Sequence, residues 1–309
     1  MNNAQRLAFA TAIMTVVLIG IGVTVRATGS GLGCPDWPTC HGGIVPPGQQ
    51  QSLIEFSHRF TGMVVGFLVI GTAILAWRTY RHVPFIIWTA TAAVPLVGFQ
   101  GLLGAVTVVK ELPPEIVATH LVMAMVVLSC ELAVAWAMWL QDPRRMAAGA
   151  ARTGAGLPAL IALGWLTCIM WIGAYMAESG ASTACSGWPA CNGGLLPGDN
   201  SLEITHMVHR YLAGGFVFFI VPFVVMAWRR RGQAPWAGYA AIAAGVLYVT
   251  QVAVGAFNVW YTFPDPLTIS HTVIASVLWF TLASVVILDY YRPMTRSETT
   301  RLSGREVPA

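Results

Sequence analysis
Apolar residues along this chain gather into eight blocks, at 7–25, 55–77, 84–109, 115–140, 156–177, 203–228, 235–260 and 266–290. Each approaches the roughly 20 residues an α-helix needs to cross about 30 Å of hydrocarbon. Within a block the apolar residues are continuous rather than alternating, which excludes a β-barrel. The pattern therefore predicts an all-α membrane protein with eight transmembrane helices. The first block is too long for a signal-peptide core and no small-residue cleavage site follows it, so it counts as a helix. Composition agrees: 56% of the 309 residues are hydrophobic and only 10% are charged, against about 25% charged in soluble domains.

Basic residues set the expected orientation. Of the 17 lysines and arginines, only Arg26, Arg59, Lys110 and Arg210 fall on one side of the predicted spans. The excess on the other side places both termini in the cytoplasm of a cell-membrane protein, in contact with membrane lipid. The net charge of +4 comes from arginines scattered over short loops, which is no basis for nucleic-acid binding.

The chain also repeats itself. Gly33–Gly43 (GCPDWPTCHGG) and Ala184–Gly194 (ACSGWPACNGG) match with one offset of 151 positions. The same ungapped offset carries His58 onto His209, Arg59 onto Arg210, Gln100 onto Gln251, Gly104 onto Gly255 and His120 onto His271. This predicts two tandem pseudo-symmetric four-helix bundles. Four helices per half make the repeats parallel, related by an axis along the membrane normal. The expected units are an N-terminal bundle at 1–141, a cytoplasmic linker at 142–157, a C-terminal bundle at 158–291 and a polar cytoplasmic tail at 292–309.

Each half thus carries one histidine on each of two helices at a common depth. Facing imidazoles inside a bundle suit an axially ligated heme iron. Zinc would want a third or fourth ligand, and in the first half only Glu55 offers one. The blander reading is that these are packed, hydrogen-bonded histidines. His82 reads as solvated, and neither His41 nor His206 receives a role.

The halves differ at one telling place. Glu55, three residues before His58 and on its helical face, maps onto His206. A carboxylate beside one bound macrocycle and absent from the other marks the first half as reactive and the second as an electron-transfer site. Against this stands a role for Glu55 in the first turn of its helix, where a carboxylate suits the dipole; Glu203 is read that way. Arg59 and Arg210 are candidates for heme propionates or for interfacial snorkelling. Glu131 should face the bundle interior. Cys34/Cys40 and Cys185/Cys191 are loop pairs that read as disulfide staples or as redox-active pairs. Cys130 and Cys168 are expected to be buried thiols.

With these motifs together, Glu55-x-x-His58-Arg59, His120, His209-Arg210, His271 and the paired cysteine loops, the chain from about Gly20 to Tyr290 resembles the heme A synthase family. The resemblance implies an oxidoreductase that oxidises a ring methyl of heme O to a formyl by successive hydroxylations. It implies iron ligation of the substrate heme O by His58 and His120, of a cofactor heme b by His209 and His271, and a catalytic role for Glu55. Implied partners are an electron acceptor that the sequence does not identify and a heme O synthase (protoheme farnesyltransferase). With both axial positions filled, chemistry would proceed at the porphyrin edge, by attack of water. Two other readings use the same residues or layout: a non-catalytic di-heme cytochrome passing electrons from quinol to an external acceptor, and a transporter. The second is disfavoured because no block has the short broken helices of substrate sites.

Overall fold
The structure is a computed structural model that describes residues 1–142 and 153–291. It contains eight helices long and apolar enough to cross a membrane. They are α1 (Asn3–Ala27), α2 (Gln50–Thr79), α3 (Pro84–Val109), α4 (Pro114–Leu140), α5 (Gly156–Glu178), α6 (Ser201–Arg229), α7 (Pro235–Trp260) and α8 (Asp265–Tyr290). Among the described residues there is no strand, only isolated bridges within the two cysteine loops. Continuous helix is what lipid demands, because it satisfies the backbone within the segment. The protein is a multi-pass membrane protein.

Local chemistry sets the helix ends. Asn2 and Gln5 form a capping box at the start of α1, and α3, α4, α7 and α8 each carry a proline at their first positions. α6 is interrupted at Phe216, between segments Ser201–Gly215 and Val217–Arg229. Gly214-Gly215 and Pro222 flank the break, the residues that weaken a helix locally. α2 begins five residues earlier than its apolar block, so Glu55 lies beyond the first turn. That removes the first-turn reading of Glu55. At α6 the cap is Asn200, which accepts from the Leu202 N–H. Glu203 lies in the first turn, as expected, and accepts from the Gly198 N–H and the Asn192 side chain.

In the first half α1 packs on α2 and α4, and α3 closes the ring between them; α5 to α8 repeat that neighbour order. The halves meet through α1, α4, α5 and α8. Across this seam Trp136 of α4 donates to Ser284 of α8, and Trp279 of α8 donates to Ser129 of α4, both at 2.9 Å. Buried Asp289 near the end of α8 accepts from Thr153 and Gly156, fixing the entry to α5. Ordered helix therefore starts inside the expected 142–157 linker. Most of that linker, and the 292–309 tail, lie outside the described residues.

Two expectations fail: the sixth block, read as unbroken, is interrupted at Phe216, and the two helix cysteines are not both buried. Cys130 is half-buried, but Cys168 is exposed on the outer face of α5. A membrane helix can be apolar on its lipid-facing side as well as its packed side, so composition does not reveal which side a cysteine takes.

Candidate functional site
The two cysteine loops are built alike. Cys34–Cys40 and Cys185–Cys191 are both disulfide-bonded, with cis peptides at Trp37-Pro38 and Trp188-Pro189. An arginine on the following helix clasps each loop. Arg59 donates to the carbonyls of Cys34, Asp36 and Thr39 at 2.6–2.7 Å. Arg210 donates to those of Gly187, Pro189 and Ala190 at 2.8–3.1 Å. The two arginines proposed for propionates thus have guanidinium nitrogens engaged by loop backbone.

The loops differ in what orders their tips. In the first, Asp36 accepts from the Thr39 hydroxyl and from the His41 and Gly42 amides. In the second, Asn192 takes over, accepting from Ser186. His41, assigned no role from sequence, braces its loop with a ring nitrogen 3.0 Å from the Gly33 carbonyl. The Thr39 hydroxyl first, then the Gly42 and His41 amides, hold the Asp36 carboxyl down at about 2. Because the folded value lies below the ordinary one near 3.9, ionised Asp36 supports this loop above about pH 4, and the support is lost as pH falls through about 2. Hydrogen exchange of the His41–Gly42 peptide should therefore accelerate across that window relative to the Asn192 loop, whose amide does not titrate. Equal behaviour of the two loops would contradict this.

Glu55 is 3% exposed. One oxygen accepts from the Cys34 N–H at 2.7 Å, and the other meets the Arg59 guanidinium at 2.5 Å. It lines the large cavity described below. In the second half Arg210 finds His206 Nε2 at 2.9 Å instead, while His206 Nδ1 lies 3.0 Å from the Ala181 carbonyl. His206 thus substitutes for the carboxylate as the arginine's partner.

The four candidate histidines all line one cavity of about 1530 Å³, shared by both halves. A single small-molecule site usually needs about 300–1,000 Å³, so this space exceeds the needs of one modest ligand. His209 and His271 face each other with ring centroids 6.5 Å apart. Metal–imidazole bonds of about 2.0 Å, in line on either side of one ion, put ring centres roughly 6.3 Å apart. The spacing of the second-half pair would therefore accept a metal ion between two imidazoles. The buried Nδ1 atoms of His120, His209 and His271 make no well-formed hydrogen bond among the described residues. The Ile169 and Gln251 carbonyls lie near the rings of His209 and His271, the neighbours that orient a ligating imidazole.

Sequence reading missed what holds these rings. Each lies against a glycine of the adjacent helix. A β-carbon at Gly173 would stand 2.9 Å from the His209 ring, at Gly104 3.1 Å from His120, and at Gly255 3.1 Å from His271. Gly22 gives the same contact to His58, but there the nearest atom is Nε2, at 2.9 Å. His58 is thus turned differently from its counterpart. Also missed was an ion pair between the halves, in which Arg26 at the end of α1 meets Glu178 at the end of α5 at 3.3 Å on the same cavity.

A profile of the COX15-CtaA family, described as cytochrome oxidase assembly protein, matches residues 5–283. The chain belongs to this family. The match takes in Glu55 and all four cavity histidines of the two pairs. Among curated relatives, a heme A synthase of Shouchella clausii is 31% identical over 298 residues, covering 93% of this chain and 97% of its own. One of Halalkalibacterium halodurans is 29% identical over 282 residues, covering 90% and 94%. One of Alkalihalophilus pseudofirmus is 28% identical over 280 residues, again covering 90% and 94%. The family assignment therefore spans nearly the whole length of both this chain and its relatives.

Proposed function
We propose that this protein is an oxidoreductase that converts heme O to heme A, with heme O bound in the first half and heme b in the second. The names of its relatives support the reaction. The observation that carries the division of labour is the Glu55–His206 difference: the loops, clasps and histidines recur at one offset, but only the first half sets a carboxylate one turn before its helix histidine on the cavity, the second-half carboxylate there, Glu178, lying on α5 in an ion pair with Arg26. We read the two halves, 1–141 and 158–291, as copies of one bundle, with both termini in the cytoplasm as the arginine distribution favours.

In this reading His209 and His271 hold heme b, whose chemistry when bound is one-electron storage. Gly173 and Gly255 keep those imidazoles close to the neighbouring helices. His58 and His120 hold the substrate, and the different setting of His58 suits a site that must admit and release its occupant. At each of two oxidations the substrate methyl carbon would give up two electrons and two protons and gain the oxygen of one water, the electrons leaving one at a time by way of the second-half heme to an external electron acceptor. Loss of water from the resulting diol leaves the formyl. Glu55 accepts a proton from the attacking water, or offsets positive charge developing beside it. Arg59 and the Cys34 amide fix the carboxylate in place for that task. The disulfides act as staples that keep the clasped loops over the cavity.

The test is mass analysis of hemes extracted with the purified protein after supply of heme O. A formyl-bearing farnesylated heme beside heme b is the expected result. Heme b alone would favour the electron-passing cytochrome, and no heme at all would overturn both.

A further inference from the structure
The first half contains a buried polar cluster that the second half replaces with hydrocarbon. Glu131 of α4 is 4% exposed, and neither of its carboxyl oxygens has a hydrogen-bond partner among the described residues. It borders a void of about 10 Å³ with Thr11 of α1 and Thr72 of α2, whose hydroxyls are 3.1 Å apart. That volume approaches the space of one water. The Thr15 hydroxyl lies near the Glu131 carboxyl without a well-formed bond of its own, and Thr15 also lines the large cavity. At the same 151-residue offset the second half has Ala162, Leu166, Phe223 and Leu282, all in its apolar core.

A carboxyl without a partner inside a membrane bundle is costly and is a functional hypothesis by default. The second half shows that this packing is achieved without it. We propose that Glu131 is a proton-holding carboxyl that exchanges its proton with the large cavity through the hydroxyl of Thr15. The event is a proton transfer alone: one O–H bond breaks as another forms along the relay, and no electrons move. Its use rests on the proposed function, in which each oxidation frees protons in the large cavity that Thr15 lines. The facing groups are suited to this. α1 presents Thr11 and Thr15, α2 presents Thr72 and Val69, and α3 presents Ala90 and Ala93. Cys130, the titratable neighbour on α4 itself, is the only other ionisable group among those named.

The experiment is infrared spectroscopy of the full chain in lipid nanodiscs, with or without bound heme. Subtracting the Glu131→Gln spectrum from wild type should leave a carboxylic-acid C=O band that moves to lower frequency in D2O. Thr15→Val should keep the band but slow its exchange at least tenfold. Dicyclohexylcarbodiimide, which labels membrane-buried carboxylic acids, should modify the α4 peptide in wild type and not in Glu131→Gln. Absence of the band overturns the proposal, as does exchange in Thr15→Val at the wild-type rate. Glu131→Leu, which copies the second half, shows whether the cluster serves only folding: failure of that variant to assemble would also overturn it. These readouts do not depend on heme A formation, so they stand or fall separately from the assigned reaction.

Discussion

Replacing Glu55 with Gln should leave hemes bound and lower heme A formation by about a hundred- to ten-thousand-fold, the usual contribution of a positioned acid or base. The side chain keeps its size, but its nitrogen cannot accept a proton or a hydrogen bond. One of its two neighbours, the Cys34 amide or the Arg59 guanidinium, is left facing another donor, so part of any loss could come from a loosened loop. Glu55→His separates the two effects. The second half shows that a histidine at this position satisfies the arginine, with His206 Nε2 2.9 Å from Arg210. Glu55→His should therefore keep the clasp and the heme content yet remain as inactive as Glu55→Gln. Product formation near the wild-type level in that variant would refute the catalytic role.

His209→Ala should cost the second-half heme while leaving the first-half site able to bind heme O, seen as a fall of about half in the extracted heme. The pair geometry carries this expectation: in the proposed function the two imidazoles, 6.5 Å apart by ring centre, would both hold the heme, and removing one would leave it a single protein ligand. Gly173→Leu should act on the same heme without replacing either histidine. Its β-carbon would stand 2.9 Å from the His209 ring, so the imidazole must move. Disturbing the support of a ligand typically weakens metal affinity about 10–100-fold. A Gly173→Leu protein with unchanged heme content and spectrum would show that the glycine contact does not position the ligand.

The eight spans, the paired cysteines and the histidine positions were legible because each leaves a mark in residue type: long apolar runs, a doubled Trp-Pro loop, an imidazole in a stretch that otherwise excludes polar groups. Much of the site leaves no such mark. Gly22 and Gly173 are small residues in helices rich in small residues, and their importance lies in a neighbour across the bundle. The partners of Arg59 and Arg210 are mostly backbone carbonyls, which every residue possesses, so the motif pointed to charge pairing and the structure reveals loop clasping. The early start of α2 was hidden because Gln50 to Ser52 are polar and the apolar count begins later. The side of α5 that carries Cys168 was hidden for the opposite reason, since lipid and protein interior favour the same residues.

The Cys34 amide that meets Glu55 belongs to a residue whose sulfur is tied to Cys40. A reductant acting on this disulfide would therefore reach the acidic group through a single residue, without passing through the helices at all. In the proposed function, the chemistry of the site and the redox state of this loop would share one short mechanical link.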